Sequence, residues 1–205
     1  MAELILIRHG KTAGNLLGRY IGSRTDEPLC EEGREGLGGK QLPEVERLYA
    51  SPMKRCVETA EFLWPGFDQK KIEIVTDLRE CDFGDFENKN YKELSGNEDY
   101  QAWIDSNGTL PFPNGESMDV FKSRCRNAFA QIVEEVSVAE REWKASGETG
   151  TFRAGIVVHG GTIMAILEQY GYPKRAYFDY QVKNGCGYRL TPVEGTTLWN
   201  CLCLQ

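Results

Sequence analysis

Histidine is nearly missing from this chain, with two in 205 residues. Its seven cysteines (30, 56, 81, 125, 186, 201 and 203) are odd in number and scattered, and none forms a Cys-x-x-Cys pair. These absences exclude a Cys/His zinc site of ordinary spacing and leave free thiols in a reducing compartment as the expectation. Cys201 and Cys203, two apart in an apolar tail, are expected to share one strand face and pack there. Positive charge is short as well: 24 Lys and Arg stand against 31 Asp and Glu, a net of −7. Such a field repels nucleic acid and anionic membrane surfaces. No apolar run approaches the ~18 residues of a spanning helix. The opening Met1-Ala-Glu-Leu-Ile-Leu-Ile-Arg-His-Gly lacks a basic leader and a small-residue cleavage site, so no signal peptide is expected and the chain reads as soluble and cytoplasmic. What is present, 40% hydrophobic and 11% aromatic residues, excludes wholesale disorder and fits one domain over residues 1–205.

Short apolar runs alternate with helical patterns. Leu4–Ile7, Val45–Ala50, Ile72–Val75 and Gly155–Val158 read as strands, with Cys186–Leu190 and Thr197–Leu202 as two more in the tail. Ser51-Pro52 reads as a cap followed by proline at the start of a helix to about Leu63. A second helix is expected over about Ile163–Tyr170. The longest candidate runs from near Ser117 to about Trp143, where Met118, Phe121, Cys125, Ala128, Phe129, Ile132, Val136, Ala139 and Trp143 recur at spacings of three and four. Uniformly apolar strands alternating with helices predict an α/β class, with a largely parallel sheet covered on both faces. Residues 84–113 break the pattern. They are polar, turn-rich and aromatic, with Tyr91, Tyr100, Trp103 and Phe112, and read as an irregular insertion of the kind that covers active sites.

Both histidines occupy the same setting. Each follows an apolar strand, precedes glycine and lies close to a helix start, in Arg8-His9-Gly10 and Val158-His159-Gly160-Gly161. One such histidine alone reads as a satisfied core residue; two in matching positions point to a shared site at the carboxyl edge of a parallel sheet. Glycines such as Gly160 let backbone approach a ligand, and helix-start N–H groups favour an anion. Arg8 adjoins His9, and Arg55 falls in the first turn after the Ser51-Pro52 strand end. Residues 1–24 hold Arg8, Lys11, Arg19 and Arg24 against Glu3 alone. Arg19 and Arg24 also fit the plain reading of solvated surface arginines. Guanidinium groups disfavour a divalent metal but match phosphate oxygens in bidentate pairs, so the pattern predicts a phosphate pocket holding two imidazoles. That chemistry is nucleophilic phosphoryl transfer from a phosphate ester to imidazole. The departing alkoxide needs a proton from a carboxyl group, which spacing does not pick from the 31 acidic residues.

At this point the residues resemble the histidine phosphatase superfamily, in the branch of the cofactor-dependent phosphoglycerate mutases and α-ribazole phosphatase-like enzymes. The resemblance is carried by Leu6-Ile7-Arg8-His9-Gly10-Lys11-Thr12 with Asn15, Tyr20-Ile21-Gly22, and Asp26-Glu27-Pro28-Leu29 with Gly33. It continues through Ser51-Pro52-Met53-Lys54-Arg55 with Thr59-Ala60, Leu78-Arg79-Glu80 with Phe83-Gly84 and Glu87, Gly115-Glu116-Ser117 and Val158-His159-Gly160-Gly161-Thr162. It implies a three-layer α/β/α sandwich with a mostly parallel central sheet, phosphoglycerate mutase-like, with a cap inserted at about 84–117. It implies His9 as the phosphorylated nucleophile and Glu80 as general acid, later the base that activates water. Arg8, Arg55 and His159 would hold the phosphoryl group, with Asn15 hydrogen-bonding it and Tyr20, Ile21 and Gly22 lining the leaving-group side. Glu116 and Ser117 fall where the family brings a cap-edge loop toward the site, and they fit equally the plain role of helix-start residues. No cofactor or metal is implied.

Two positions depart from the family pattern. Lys11 stands where relatives often carry Glu or Gln, adding charge by the pocket mouth. Cys30 replaces the usual Thr, so the loss of a hydroxyl cap is expected. The reading that results is a metal-independent phosphatase acting on a small-molecule phosphate monoester through phosphohistidine. Phosphoglycerate mutase-type transfer and non-catalytic phospho-ligand binding are the alternatives. An acidic cap with only Lys89 and Lys92 as basic residues disfavours the mutase, since it would repel a bisphosphoglycerate. The sequence is silent on oligomeric state and on the leaving group.

Overall fold

Side chains that are apolar on both faces decide which strands lie at the centre. The computed structural model describes residues 2–205. In β1 (Glu3–Arg8), Leu4 and Leu6 enter one core while Ile5 and Ile7 enter a second on the other face of the sheet. The strand is therefore buried on both sides. β4 (Arg153–Val158) pairs with it in parallel and alternates in the same way, with Ile156 and Val158 on the larger core and Val157 on the smaller. The other strands are β2 (Arg47–Ala50), β3 (Glu73–Ile74), β5 (Gly171–Tyr172), β6 (Gly187–Pro192) and β7 (Trp199–Leu204). The seven stand in the order β3-β2-β4-β1-β6-β7-β5. All pairings are parallel except those of β6, which runs antiparallel to both neighbours.

The helices are α1 (Ala13–Leu16), α2 (Glu31–Glu35), α3 (Lys54–Leu63), α4 (Glu98–Asp105), α5 (Met118–Ala145) and α6 (Gly160–Tyr170). α3 closes the smaller core with Cys56 and Ala60, while α5 and α6 cover the larger one. The apolar stripe predicted for α5 is buried from Phe121 to Ala139, and Met118 and Trp143 at its ends are half-buried. The chain leaving β1 crosses to β2, and the chain leaving β4 crosses the other way, to β5 at the far edge. The ends of β1 and β4 thus form the crevice where open α/β sheets bind ligands.

Three local expectations are corrected. Ser51 does not cap α3: Met53 holds that position without a side-chain cap, because the Ser51 hydroxyl is turned to His159 instead. Cys30 does cap α2, its sulfur accepting from Gly33 N–H at 3.3 Å, so the cap is weakened to a thiol rather than lost. Cys203 is exposed, and only Cys201 of the tail pair packs against the core.

The insertion leaves and rejoins the body at one point. Asp85 N–H donates to the Pro113 carbonyl and Glu116 N–H to the Asp82 carbonyl, each at 2.9 Å. Gly84 makes the close turn there with φ of +54°, and a Cβ at that position would strike the Pro113 backbone. Inside the insertion Phe86, Leu94 and Phe112 are buried in the larger core, so the cap is an extension of that core.

Candidate active site

Register puts the two histidines together. Arg8 and Val158 are partners across β1 and β4, so the next residues, His9 and His159, emerge side by side. His9 N–H continues the ladder to the Val158 carbonyl at 2.9 Å. The imidazole centroids lie 5.1 Å apart at an interplanar angle of 66°. Both rings are buried. His159 is itself the N-cap of α6, and the two glycines after it clear space. A Cβ on Gly160 would lie 3.3 Å from the Arg8 guanidinium, and one on Gly161 would collide with the Glu80 carboxylate.

A hydrogen bond fixes the His9 tautomer, and burial sets the charge states. His9 Nδ1 lies 2.6 Å from the Gly10 carbonyl, an acceptor only, so Nδ1 keeps its proton and Nε2 keeps its lone pair. Burial, reinforced by Arg55 and Arg8, holds His9 well below the usual histidine range, and the ring is neutral at pH 7. His159 is lowered in the same way, by burial and then Arg55 and His9. Its Nε2 is 2.7 Å from Ser51 Oγ, with Cys56 Sγ at 3.5 Å. Burial pushes the Cys56 thiol up to about 12, so it stays protonated.

Glu80 shows opposing causes. Burial raises its carboxyl, while N–H groups of Cys81 (2.9 Å) and Gly161 (3.1 Å), with Arg55 and Arg8, pull it back; burial prevails. A carboxyl that holds its proton longer than usual and is anchored at both oxygens is suited to give that proton to a departing oxygen.

The cavity over these groups has a volume of about 330 Å³. Of the residues predicted from sequence, Arg8, His9, Asn15, Tyr20, Ile21, Glu80 and Gly160 line it. Arg8 donates to the Val182 carbonyl at 2.7 Å, and its buried Nε has no protein partner. The Asn15 carbonyl oxygen accepts from Thr12 N–H and Asn184 Nδ2, which leaves its NH2 to donate. His159 and Arg55 stand behind the wall. Arg55 is fully buried, donating to the carbonyls of Thr25 (2.8 Å) and Gly22 (3.0 Å), and its charge acts on both imidazoles and on Glu80.

Besides His159 and Arg55, three predicted residues lie off the cavity. The Gly22 carbonyl is taken by Arg55 and its N–H by Glu87, so it shapes the loop instead of touching a ligand. Ser117 caps α5, accepting from Val120 N–H. Glu116 makes a two-pronged pair with Arg124 at 2.7 and 2.8 Å. Lys11 is likewise turned away, paired with Glu32.

Several residues without a predicted role support the site. Arg124 donates to the carbonyls of Asp77, Arg79 and Glu80, so the Glu116–Arg124 pair clamps the backbone that presents Glu80. Thr59 Oγ1 accepts from Gly10 N–H at 2.9 Å, and Asn184 donates to the His9 carbonyl at 3.1 Å. Thr59 belongs to a motif that carries the family resemblance, whereas Asn184 sits in an ordinary Asn-Gly turn with no sequence signal. Larger grooves over α5, of about 480 and 420 Å³, contain neither histidine.

Comparison with known proteins places the chain among relatives. The family model "Histidine phosphatase superfamily (branch 1)" matches residues 4–203. Phosphoglycerate mutase-like protein 4 of Arabidopsis thaliana is 32% identical over 180 residues, 82% of this chain and 70% of that protein. The metal-independent phosphoserine phosphatase of the same plant is 31% identical over 81% of this chain and 67% of its own length. The crystal structure of the α-ribazole phosphatase from Shigella flexneri superposes with a TM-score of 0.76, covering 98% of this chain and 95% of that one at 23% identity, a likeness of fold.

Proposed function

The chain belongs to the histidine phosphatase superfamily, and from that premise we propose that it hydrolyses small-molecule phosphate monoesters through a phosphohistidine on His9 Nε2. The observation that carries this reading is the 2.6 Å contact between His9 Nδ1 and the Gly10 carbonyl, which leaves Nε2 as the free nucleophile of a ring that lines the cavity.

The reaction runs in two displacements. The Nε2 lone pair attacks phosphorus, the P–O bond to the alcohol breaks, and the leaving oxygen takes the proton of Glu80. The Glu80 carboxylate then accepts a proton from water, whose oxygen attacks phosphorus. The P–N bond breaks, returning its electron pair to Nε2 and releasing inorganic phosphate. Arg8 and Asn15 meet the phosphoryl oxygens, and the charge of Arg55 and the His159 ring stabilise the transition state from behind. These fixed guanidinium charges do the work that metal ions do elsewhere, so the chemistry needs no metal. The seven cysteines are unpaired, which fits the reducing cytoplasm. Among the described residues no helix is long and apolar enough to cross a membrane.

Water, not a second substrate hydroxyl, is the acceptor, because among the described residues the cavity wall carries no unpaired cation beyond Arg8 to hold a second acidic group. The test is enzyme phosphorylated with a radiolabelled alkyl phosphate and chased with 3-phosphoglycerate. Label is expected in inorganic phosphate at the same rate with and without the chase. Label passing to bisphosphoglycerate would identify a mutase.

A further inference from the structure

We propose that the outer half of the cavity is built for an uncharged leaving group bearing an aromatic or heteroaromatic ring. This rests on the phosphatase reading of the same site and names its substrate class. Beyond the reacting groups aromatic rings make up much of the wall, with the apolar Ile21, Met118 and Met164 and the polar Arg19 and Gln181 among them. Tyr20, Phe83, Trp103 and Phe112 line one side, and Tyr177 and Phe178 come from the segment after α6. The first four hold one another in place, with Tyr20–Phe83 centroids at 5.6 Å, Phe83–Phe112 at 5.1 Å and Trp103–Phe112 at 5.2 Å. Tyr20 offers its ring, since its hydroxyl is bonded to that of Tyr100 at 3.0 Å. Phe178 is 67% exposed at the rim, an apolar ring that packs only on Tyr177 within the aromatic set.

Charge excludes the other leaving groups. Arg19 lines the cavity but is already paired with Glu93 at 3.0 Å and bonded to Asn88. Lys122, against the Tyr177 ring, is paired with Glu168. A carboxylate or second phosphate would be desolvated against rings with no counter-charge of its own. An ammonium group would find only Glu80, which the reaction uses. A neutral ring instead meets edge-to-face partners already in position.

The experiment compares kcat/KM for benzyl phosphate, ethyl phosphate, O-phosphoserine and 3-phosphoglycerate, with calorimetric binding of benzylphosphonate and ethylphosphonate alongside. Benzyl phosphate should exceed ethyl phosphate by at least about tenfold, the order that burial of one ring gives. O-Phosphoserine and 3-phosphoglycerate should fall at or below ethyl phosphate. The benzyl-to-ethyl ratio should drop in Trp103→Leu and, at an exposed position the core does not need, in Phe178→Ala. A wild-type ratio near one, preference for either acidic ester, or a ratio unchanged in both variants overturns the inference and leaves the phosphatase reading standing. Tighter binding of benzylphosphonate with no turnover of any ester would overturn the phosphatase reading and keep the cavity assignment.

Discussion

The reacting end of the cavity and its cap end are built by different means. At the reacting end, the polar groups sit on strand ends and helix starts, backbone hydrogen bonds orient them (Gly10 for His9, Cys81 and Gly161 for Glu80), and burial sets their protonation states. At the cap end, side chains lean on one another, ring against ring, and acids are spent on structure. Glu87 binds the N–H groups of Gly22 and Arg24, Glu93 pairs with Arg19, and Asp82 pairs with Arg24. The first arrangement fixes chemistry, and the second fixes shape. The acidic composition of residues 84–113 therefore describes the cap's outside and its seams, while its inner face is aromatic. The expectation that cap acids repel a bisphosphoglycerate gives way to another reason: among the described residues, the wall offers no unpaired cation besides Arg8, which the phosphoryl group occupies.

Substitutions can separate the two ends. The largest effect belongs to His9→Ala, which should cost at least about 10⁴-fold in turnover, as loss of a nucleophile does, with an unchanged far-UV circular dichroism spectrum. Equal losses from a cap substitution such as Phe112→Leu would dissolve the distinction.

Glu80→Gln comes next. It should slow the phosphorylation step on alkyl esters by about 10²–10⁴-fold, the usual worth of general acid catalysis. In single-turnover measurements the loss should be much smaller on p-nitrophenyl phosphate, whose leaving group needs no proton. Equal losses on both esters would move the acid elsewhere. The pH profile sharpens the point. Protonation of His9 removes the nucleophile, so the acid limb of kcat/KM should lie well below 6.5. Deprotonation of Glu80 removes the acid, so the alkaline limb on alkyl esters should lie above the ordinary 4.5 and vanish in Glu80→Gln.

Ser51→Ala tests the support behind the reacting end. A hydrogen bond between two neutral groups, as here, is worth about 0.5–1.5 kcal/mol, which corresponds to about 2–10-fold in kcat/KM. Ser51→Thr should restore part of it, and a Tm lowered with kcat/KM unchanged would make the contact purely structural. The smallest effect is at Cys30. Replacing the thiol cap with Thr should stabilise the protein by less than about 1 kcal/mol in urea unfolding, without change in activity.

The reacting end was legible in sequence because its signals are local. An apolar strand ending in Arg-His-Gly or His-Gly-Gly states both the element and its edge, and Arg55 follows from the proline-marked start of α3. Glu80 was reached only through the family resemblance. It lies in a loop after a short turn at Thr76–Leu78, and Arg124 and Glu116, far along the chain, hold it there. The turning of Ser51 from α3 to His159 is a tertiary contact that overrides a good local capping signal. The inner face of the cap was unreadable for the same reason: irregular backbone has no period, so nothing in the order of residues says which of them point inward.

The species on which the chemistry turns is a phosphoryl group on Nε2 of His9. Wild-type enzyme mixed with substrate, quenched in alkaline denaturant and digested should yield one phosphopeptide, containing His9. Its adduct should be stable to base and labile to acid, and phosphorus NMR should assign it to Nε2. Phosphate on Nδ1, on His159 or on a serine or cysteine would contradict the account.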